Sequence, residues 1–351
     1  MYPITLVLIA RNEAASIRRC LDSVRPWVNH LLVLDTGSSD DTVRLAQESG
    51  ARVEHFPWID DFAAARNHAL NLAKSDWNLV LDADEWVKEG GPELATLRQV
   101  RPDFIGSIRI DSDFSALGSD ACTSSWISRV LPRGVRYAGR IHEQPAHDMG
   151  VRRLAVHIGH SGYSPQAMVA KQGRNAALLE RALFEAPGDG YLLYQLGKDH
   201  SVYERFEAAA DSFAQAAQTL TPNHAVAHDL LLRWLYALKK CGRHEQAVQL
   251  AELQMGRWEG SPDYWFVVGD LLLDWACEQP ERSETLLPMI EASWQRCLEI
   301  GERPDLEGAV QGRGSHLAAT NLAVLYEGCG RPGEVLRYRI LAAAHSTSIK
   351  K

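Results

Sequence analysis

The sequence predicts an α/β domain built on a mostly parallel sheet, followed by an all-α domain of repeated helix pairs. Three observations carry this. Strand-length apolar runs alternate with helix-period stretches from Ile4 to Leu81. Polar, acid-bearing segments close the strand runs, and after Ser164-Pro165 Ala and Leu recur at three- and four-residue spacing. A chain of 351 residues is too long for one ordinary core and suits two domains, placed here at 1–165 and 166–351.

Ile4-Thr5-Leu6-Val7-Leu8-Ile9 reads as a buried strand, and Ala14 to Val24 follows with helical spacing. Leu31-Leu32-Val33-Leu34 is a second strand. It stops at Asp35-Thr36-Gly37-Ser38-Ser39-Asp40-Asp41, a polar loop suited to cap a helix from Thr42 to Ser49. Val53-Glu54-His55-Phe56 is a third strand, a helix runs from Asp61 or Phe62 to Lys74, and Trp77-Asn78-Leu79-Val80-Leu81 is a fourth strand. Strand then helix, three times over, implies right-handed crossovers in a mostly parallel sheet. From Ile105 to about Gly159, short strands (Ile108–Ile110, Trp126–Val130, Val151–Ile158) with Gly and Pro punctuation complete the sheet and wall a pocket.

Beyond the boundary, Leu192–Gly197 through Arg205–Ala209 aligns with Leu230–Leu235 through Arg243–Ala247, and Gly330-Arg331-Pro332-Gly333-Glu334 marks a third, later turn. One helix pair cannot bury its own apolar face, so the pairs must stack. The region resembles tetratricopeptide repeats.

Composition limits the function classes. Hydrophobic residues are 46% and charged residues 23% of the chain, the balance of a globular protein, and the net charge of −8 gives no reason to expect nucleic acid or an anionic membrane surface as partner. Met1-Tyr2-Pro3 has no basic leader region, and no stretch reaches the ~20 apolar residues of a membrane span, so a cytoplasmic location is expected. Six cysteines without a CxxC pair argue against a zinc knuckle or disulfide scaffold; they read as reduced and packed mostly in helices.

In a parallel sheet the ligand sits beyond the carboxyl ends of the strands, which here carry Ala10-Arg11-Asn12-Glu13, Asp35-Thr36-Gly37 and Asp82-Ala83-Asp84-Glu85. Residues i and i+2 of a strand end project the same way, so Asp82 and Asp84 can share a divalent cation and a phosphorylated ligand; a solvated pair of acids is the bland alternative.

These segments, with Asp61-Phe62-Ala63-Ala64-Ala65-Arg66-Asn67 and Trp77-x-Leu79-x-Leu81-Asp82-Ala83-Asp84-Glu85, resemble the inverting family-two glycosyltransferases with the Rossmann-like GT-A fold. Gly139-Arg140-Ile141-His142-Glu143 and His160-Ser161-Gly162-Tyr163-Ser164, followed by repeats, narrow the resemblance toward the repeat-bearing subgroup that includes peptide S-glycosyltransferases acting on bacteriocins. The likeness covers nearly the whole chain and is strongest in the first 90 residues.

The resemblance implies a nucleotide-sugar donor, with UDP-sugar favoured, and Mn²⁺ or Mg²⁺. Ala10, Arg11, Glu13, Asp35 and Ala83 are then expected along the nucleotide pocket, with Asp35 on base or ribose unless it only closes an Asx turn. Arg66 supplies charge for the diphosphate, Asp84 is the direct metal ligand, and Asp82 contacts ribose or sugar, or the ion. His160 resembles the histidine that completes such a site, and one imidazole moves the choice toward Mn²⁺. Glu143 is the first candidate for the base that takes the acceptor proton, His142 the second and Glu85 the third.

The acceptor is expected to be a peptide or protein side chain, or alternatively a glycan or cell-envelope molecule. A non-catalytic repeat scaffold with a relic nucleotide-binding domain is the contrasting reading; keeping Asp35, Arg66, Asp82 and Asp84 together argues for the enzyme. A nucleotidyltransferase would want a Gly-rich basic loop after the first strand, where this chain has Ala10-Arg11-Asn12-Glu13. The repeats are expected to hold a peptide acceptor or to form a homodimer, with Trp234, Trp258, Trp265, Trp275 and Trp294 read as core.

Overall fold

A computed structural model describes residues 1–113, 122–160 and 173–348. The chain divides into two compact units, Met1–Glu185 and Ala186–Lys351. The boundary expected at 165/166, like Ser161–Ser164, lies outside the described residues.

The first unit starts β1 (Ile4–Ala10), α1 (Ile17–Val24), β2 (His30–Asp35), α2 (Thr42–Glu48), β3 (Arg52–His55), α3 (Phe62–Ala73) and β4 (Trp77–Val80). β1 is central and pairs in parallel with both β2 and β4, and β2 pairs in parallel with β3. Its alternation shows why it is apolar throughout: Ile4, Leu6, Leu8 and Ala10 pack with Ile17, Cys20, Leu21 and Val24 of α1, while Val7 packs with Ala65, Ala69 and Leu70 of α3. α1 begins three residues later than expected. Asn12, with a positive φ of 57°, ties the two strand-end loops together instead: its side-chain oxygen accepts from the Ser39 amide at 2.8 Å and its amide donates to Ser38 Oγ at 3.0 Å.

The rest of the sheet is β5 (Glu85–Glu89), β6 (Ile105–Asp113), β7 (Cys122–Pro132) and β10 (Val151–His160), with α4 (Gly91–Thr96) after β5. Strand order is β3-β2-β1-β4-β7-β6-β10-β5. β7 runs antiparallel to β4 and β6, β10 parallel to β6, and β5 antiparallel to β10. The parallel half is thus as expected, and the later strands add an antiparallel half.

β4 and β5 are joined by Leu81–Asp84 alone, yet three strands lie between them in the sheet. A flat sheet would separate them by about 19 Å. Five Cα steps reach about 18 Å only when fully extended, and this connection contains a turn closed by the Glu85 amide on the Asp82 carbonyl at 3.0 Å. The sheet therefore curls, and Asp82 and Asp84 sit in the connection that bridges the curl. β8 (Arg136–Ala138) and β9 (Gln144–Ala146) form a separate antiparallel ribbon, and α5 (Arg174–Glu185) closes the unit.

The second unit is helical, with four helix pairs among the described residues: α6 (Gly190–Val202) with α7 (Phe206–Thr219), α8 (Ala227–Lys240) with α9 (His244–Trp258), α10 (Pro262–Glu278) with α11 (Ser283–Ile300), and α12 (His316–Gly328) with α13 (Pro332–Ser348). The α10–α11 pair, whose turn is Gln279-Pro280-Glu281-Arg282, was not among the repeats aligned in the sequence. Side-chain caps start α6, where Asp189 accepts from Tyr191 and Leu192, and α10, where Ser261 accepts from Tyr264. Trp275 and Trp294 are buried as expected, whereas Trp234, Trp258 and Trp265 are half-buried. Cys20, Cys241, Cys277, Cys297 and Cys329 are free thiols. No helix of the described residues is long and apolar enough to cross a membrane.

Candidate active site

Three parallel strand ends bring Ala10, Asp35 and His55 into register: Ala10 pairs with Asp35 and Asp35 with His55. The Asp35 carboxylate is buried and accepts from the amides of Gly37 and Ser38 at 3.1 Å each, with His55 Nδ1 at 3.3 Å. Both readings of Asp35 meet here, because it builds its own loop while standing at the strand end. Arg11 is exposed and Glu13 is half-buried, accepting from Ser16 Oγ at 2.7 Å. Ala10 and Ala83 are both buried in the core beneath these loops.

The turn after β4 holds the densest electrostatics. Asp82 accepts from Arg66 Nη2 at 2.6 Å through one oxygen and from Arg129 Nη2 at 3.0 Å through the other. Arg129 Nη2 also donates to Glu85 Oε1 at 3.1 Å, and the second oxygen of Glu85 accepts from the Asp82 amide at 2.8 Å. Arg66 Nε donates to Glu143. Burial raises the Asp82 carboxyl, but the Arg66 and Arg129 guanidiniums outweigh that and hold it well below the usual carboxylate range. Burial pushes the Glu85 carboxyl up by more than Arg129 pulls it down.

Asp82 therefore has partners other than the ribose, sugar or ion expected for it. Glu143 is likewise 9% exposed and committed to Arg66, while His142 beside it is half-buried with a φ of 52°. Arg66 is buried as expected of a group that supplies charge, and its Nη1 makes no hydrogen bond within the protein.

Asp84 lies apart from this cluster. β10 ends at His160, which pairs with Glu85 across the antiparallel ladder, so the residue before Glu85 comes to lie beside His160. Asp84 Oδ2 is 3.4 Å from His160 Nε2, with side chains 19% and 20% exposed. Burial lowers the His160 pKa, but the Asp84 hydrogen bond and the nearby Asp84, Glu85 and Asp82 charges outweigh it and raise it above the ordinary histidine value. A carboxylate and an imidazole fit Mn²⁺ better than a closed zinc site, and two ligands leave an octahedral ion positions for phosphate oxygens and water. The tighter grouping of three ligand side chains among the described residues lies in the second unit.

Two residues that matter here were not singled out in the sequence. Arg129 sits in the apolar run Trp126-Ile127-Ser128-Arg129-Val130, and a lone arginine in a buried strand demands a buried carboxylate, a signal that was available. Tyr137 lies under the Arg66 guanidinium at 5.6 Å, with its hydroxyl buried and unpaired within the protein.

Asn67 holds that ribbon in place. Its Nδ2 donates to the Tyr137 carbonyl at 2.9 Å and its Oδ1 accepts from the Tyr137 amide at 2.8 Å. Asn67→Ala is expected to cost about 1–3 kcal/mol, the penalty for orphaning buried backbone groups. Urea unfolding reads this as a lower midpoint; an unchanged midpoint contradicts it. A cavity of about 440 Å³ opens at the opposite ends of β1 and β2, lined by Thr5, Asn29, His30 and Arg52 among others, and carries none of these acids.

Comparison with known proteins agrees with the motif reading. Residues 5–112 match the model of Glycosyl transferase family 2. A TPR repeat-containing protein of Synechococcus elongatus is 53% identical over 265 residues, which is 71% of this chain and 64% of that protein. The SPbeta prophage-derived glycosyltransferase SunS of Bacillus subtilis is 30% identical over 221 residues, 59% of this chain and 51% of its own. The chain thus spans between half and two thirds of the length of these relatives. Among solved structures, glucosyl-3-phosphoglycerate synthase from Mycobacterium tuberculosis in complex with Mn²⁺, uridine diphosphate and phosphoglyceric acid aligns at 29% identity over 32% of this chain and 43% of its own, with a TM-score of 0.26.

Proposed function

We propose that this chain, whose residues 5–112 form a family 2 glycosyltransferase domain, moves a sugar from a UDP-sugar to a peptide or protein side chain, with inversion and with Mn²⁺ or Mg²⁺. The observation that carries the proposal is the Asp84–His160 pair on the turn after β4, two residues along the chain from Asp82 and its two arginines.

When bound, the ion neutralises the leaving diphosphate. Asp84 and His160 hold it. Arg66 and Arg129 give the same wall positive charge, and Asp82 fixes their heads instead of serving as a second ligand. Asp35, Arg11 and Glu13 line the nucleotide end. In the transfer, the acceptor sulfur or oxygen forms a bond to the anomeric carbon as the carbon–oxygen bond to the diphosphate breaks, and the electron pair leaves on the diphosphate. The acceptor proton passes to a base. His142 is favoured for that role because the Glu143 carboxylate is engaged by Arg66 and is better placed to orient it. A thiol, with an ordinary pKa of about 8.5, asks less of such a base than an alcohol does.

The peptide acceptor rests on the subgroup resemblance carried by Gly139–Glu143 and His160, and the helical repeats are its proposed binding surface or a homodimer contact. Incubation with Mn²⁺, a UDP-sugar panel and peptides carrying Cys, Ser or Thr tests the reaction. The expected product is a peptide heavier by one sugar, with an inverted anomeric centre by NMR. Transfer to lipid or glycan acceptors with none to any peptide would overturn the acceptor assignment.

The site also sets a pH dependence. The raised pKa of His160 means that in mildly acidic solution the ion must displace a proton. Mn²⁺ affinity is expected to fall about tenfold for each pH unit below that pKa. Titration by calorimetry at pH 6 and pH 8 measures it, with a proton released on binding at the lower pH. Equal affinity at both would remove His160 from the coordination shell.

A further inference from the structure

The second unit contains a cluster that the transfer reaction does not use. His244, the first residue of α9, is 3% exposed and lies between two acids one turn apart on α10: Nε2 is 3.6 Å from Asp274 Oδ2, and Nδ1 is 3.5 Å from Glu278 Oε2. The imidazole stacks flat on Trp275, interplanar angle 3°, and Nε2 is buried without a hydrogen-bond partner. One ligand atom from each residue lies within 4.8 Å of the others, and the carboxylates are 45% and 56% exposed, which leaves the cluster open to solvent on one side.

Two features make a cation the natural complement. Asp274 and Glu278 occupy the last turn of α10, where the helix dipole is negative and like charges four residues apart repel. The preceding junction, α7 against α8, solves the same packing problem without any of these groups. Phe206 stands where His244 stands and packs on Tyr236, and the corresponding turn of α8, Leu235 to Lys240, holds no carboxylate. The repeat fold thus does not require the His–Asp–Glu set, and all its members appear together at one junction between helix pairs, α9 against α10.

We propose that His244, Asp274 and Glu278 bind a divalent transition-metal ion of the zinc class, which ties the start of α9 to the end of α10. Imidazole and carboxylate are zinc ligands at about 2.0–2.2 Å, so tetrahedral neighbours stand about 3.4 Å apart, close to the 3.6 Å between His244 Nε2 and Asp274; Glu278, now beside Nδ1 and 56% exposed, joins an ion on Nε2 by a change of rotamer. Solvent completes the shell.

The test uses the full chain carrying Asp84→Ala, which removes the other metal site, titrated with Zn²⁺ by calorimetry and with Co²⁺ by visible absorption. One equivalent is expected to bind and to raise the thermal midpoint. Adding His244→Phe, a side chain the preceding junction already accommodates, is expected to weaken binding at least a hundredfold and to remove the thermal shift; Asp274→Asn with Glu278→Gln is expected to do the same. Absence of a bound equivalent, or binding undiminished by His244→Phe, would overturn the proposal and leave His244 as a buried plug between two helix-end acids.

Discussion

Arg129→Met is expected to destabilise the first unit by about 3–5 kcal/mol, the usual consequence of removing one partner from a buried ionic cluster. Arg129 is 10% exposed on its side chain and serves Asp82 and Glu85 at once. Asp82 keeps Arg66, but Glu85, 4% exposed, keeps no guanidinium. Methionine fills much of the volume, so the loss reports charge rather than a cavity.

The variant should also have a diagnostic pH profile. The Glu85 pKa is raised by burial even with Arg129 present, and without it rises further. Between the unfolded carboxyl value and that raised value the folded state holds more protons than the unfolded one, so stability falls as pH rises. Urea unfolding is expected to give a higher midpoint at pH 5 than at pH 8. An unfolding free energy within about 0.5 kcal/mol of wild type at both would mean that the cluster contributes little to folding.

Asp84→Ala is expected to act in the opposite manner, with a large effect on turnover and a small one on stability. Asp84 forms an ion-pair contact with His160, which stands opposite Glu85 in the antiparallel ladder. Truncation is expected to lower sugar transfer at least about a thousandfold, near 4 kcal/mol of transition-state stabilisation, with unfolding changed by less than about 1 kcal/mol. Initial-rate kinetics beside urea melts of the same preparation separate the two. A variant that keeps a tenth or more of the wild-type rate would move the metal away from Asp84.

The contrast between Asp82 and Asp84 marks how far the sequence could be read. The strand–helix alternation from Ile4 to Val80 was legible because burial on both faces forces continuous apolar runs, and the polar strand ends were legible because nothing else interrupts those runs. The two aspartates, by contrast, look alike in the chain. What separates them is the curl of the sheet and the arginines at 66 and 129, sixteen residues before Asp82 and forty-seven after it. Spacing within a motif carries no information about a partner that far along the chain.

Glu143 was singled out in the sequence but not as the partner of Arg66, for the same reason. His160 was singled out through resemblance, and the register that sets Glu85 opposite it brings it beside Asp84. In the repeats, the α10–α11 pair was hidden because its turn, Gln279-Pro280-Glu281-Arg282, lacks the Arg-aromatic-Glu-Ala or Arg-His-Glu-Gln start shared by the two aligned second helices. His244, aligned with Phe206, carried a signal that alignment alone did not interpret: a polar residue at a buried aromatic position.

The most direct measurement is release of nucleoside diphosphate from UDP-, GDP- and dTDP-sugars by the full chain, with Mn²⁺, with Mg²⁺ and with EDTA. Metal-dependent turnover of a UDP-sugar, abolished by EDTA, is the expected result. No turnover of any donor, together with no metal-dependent nucleotide binding, would contradict the catalytic reading and leave the helical repeats as a scaffold joined to a relic α/β unit.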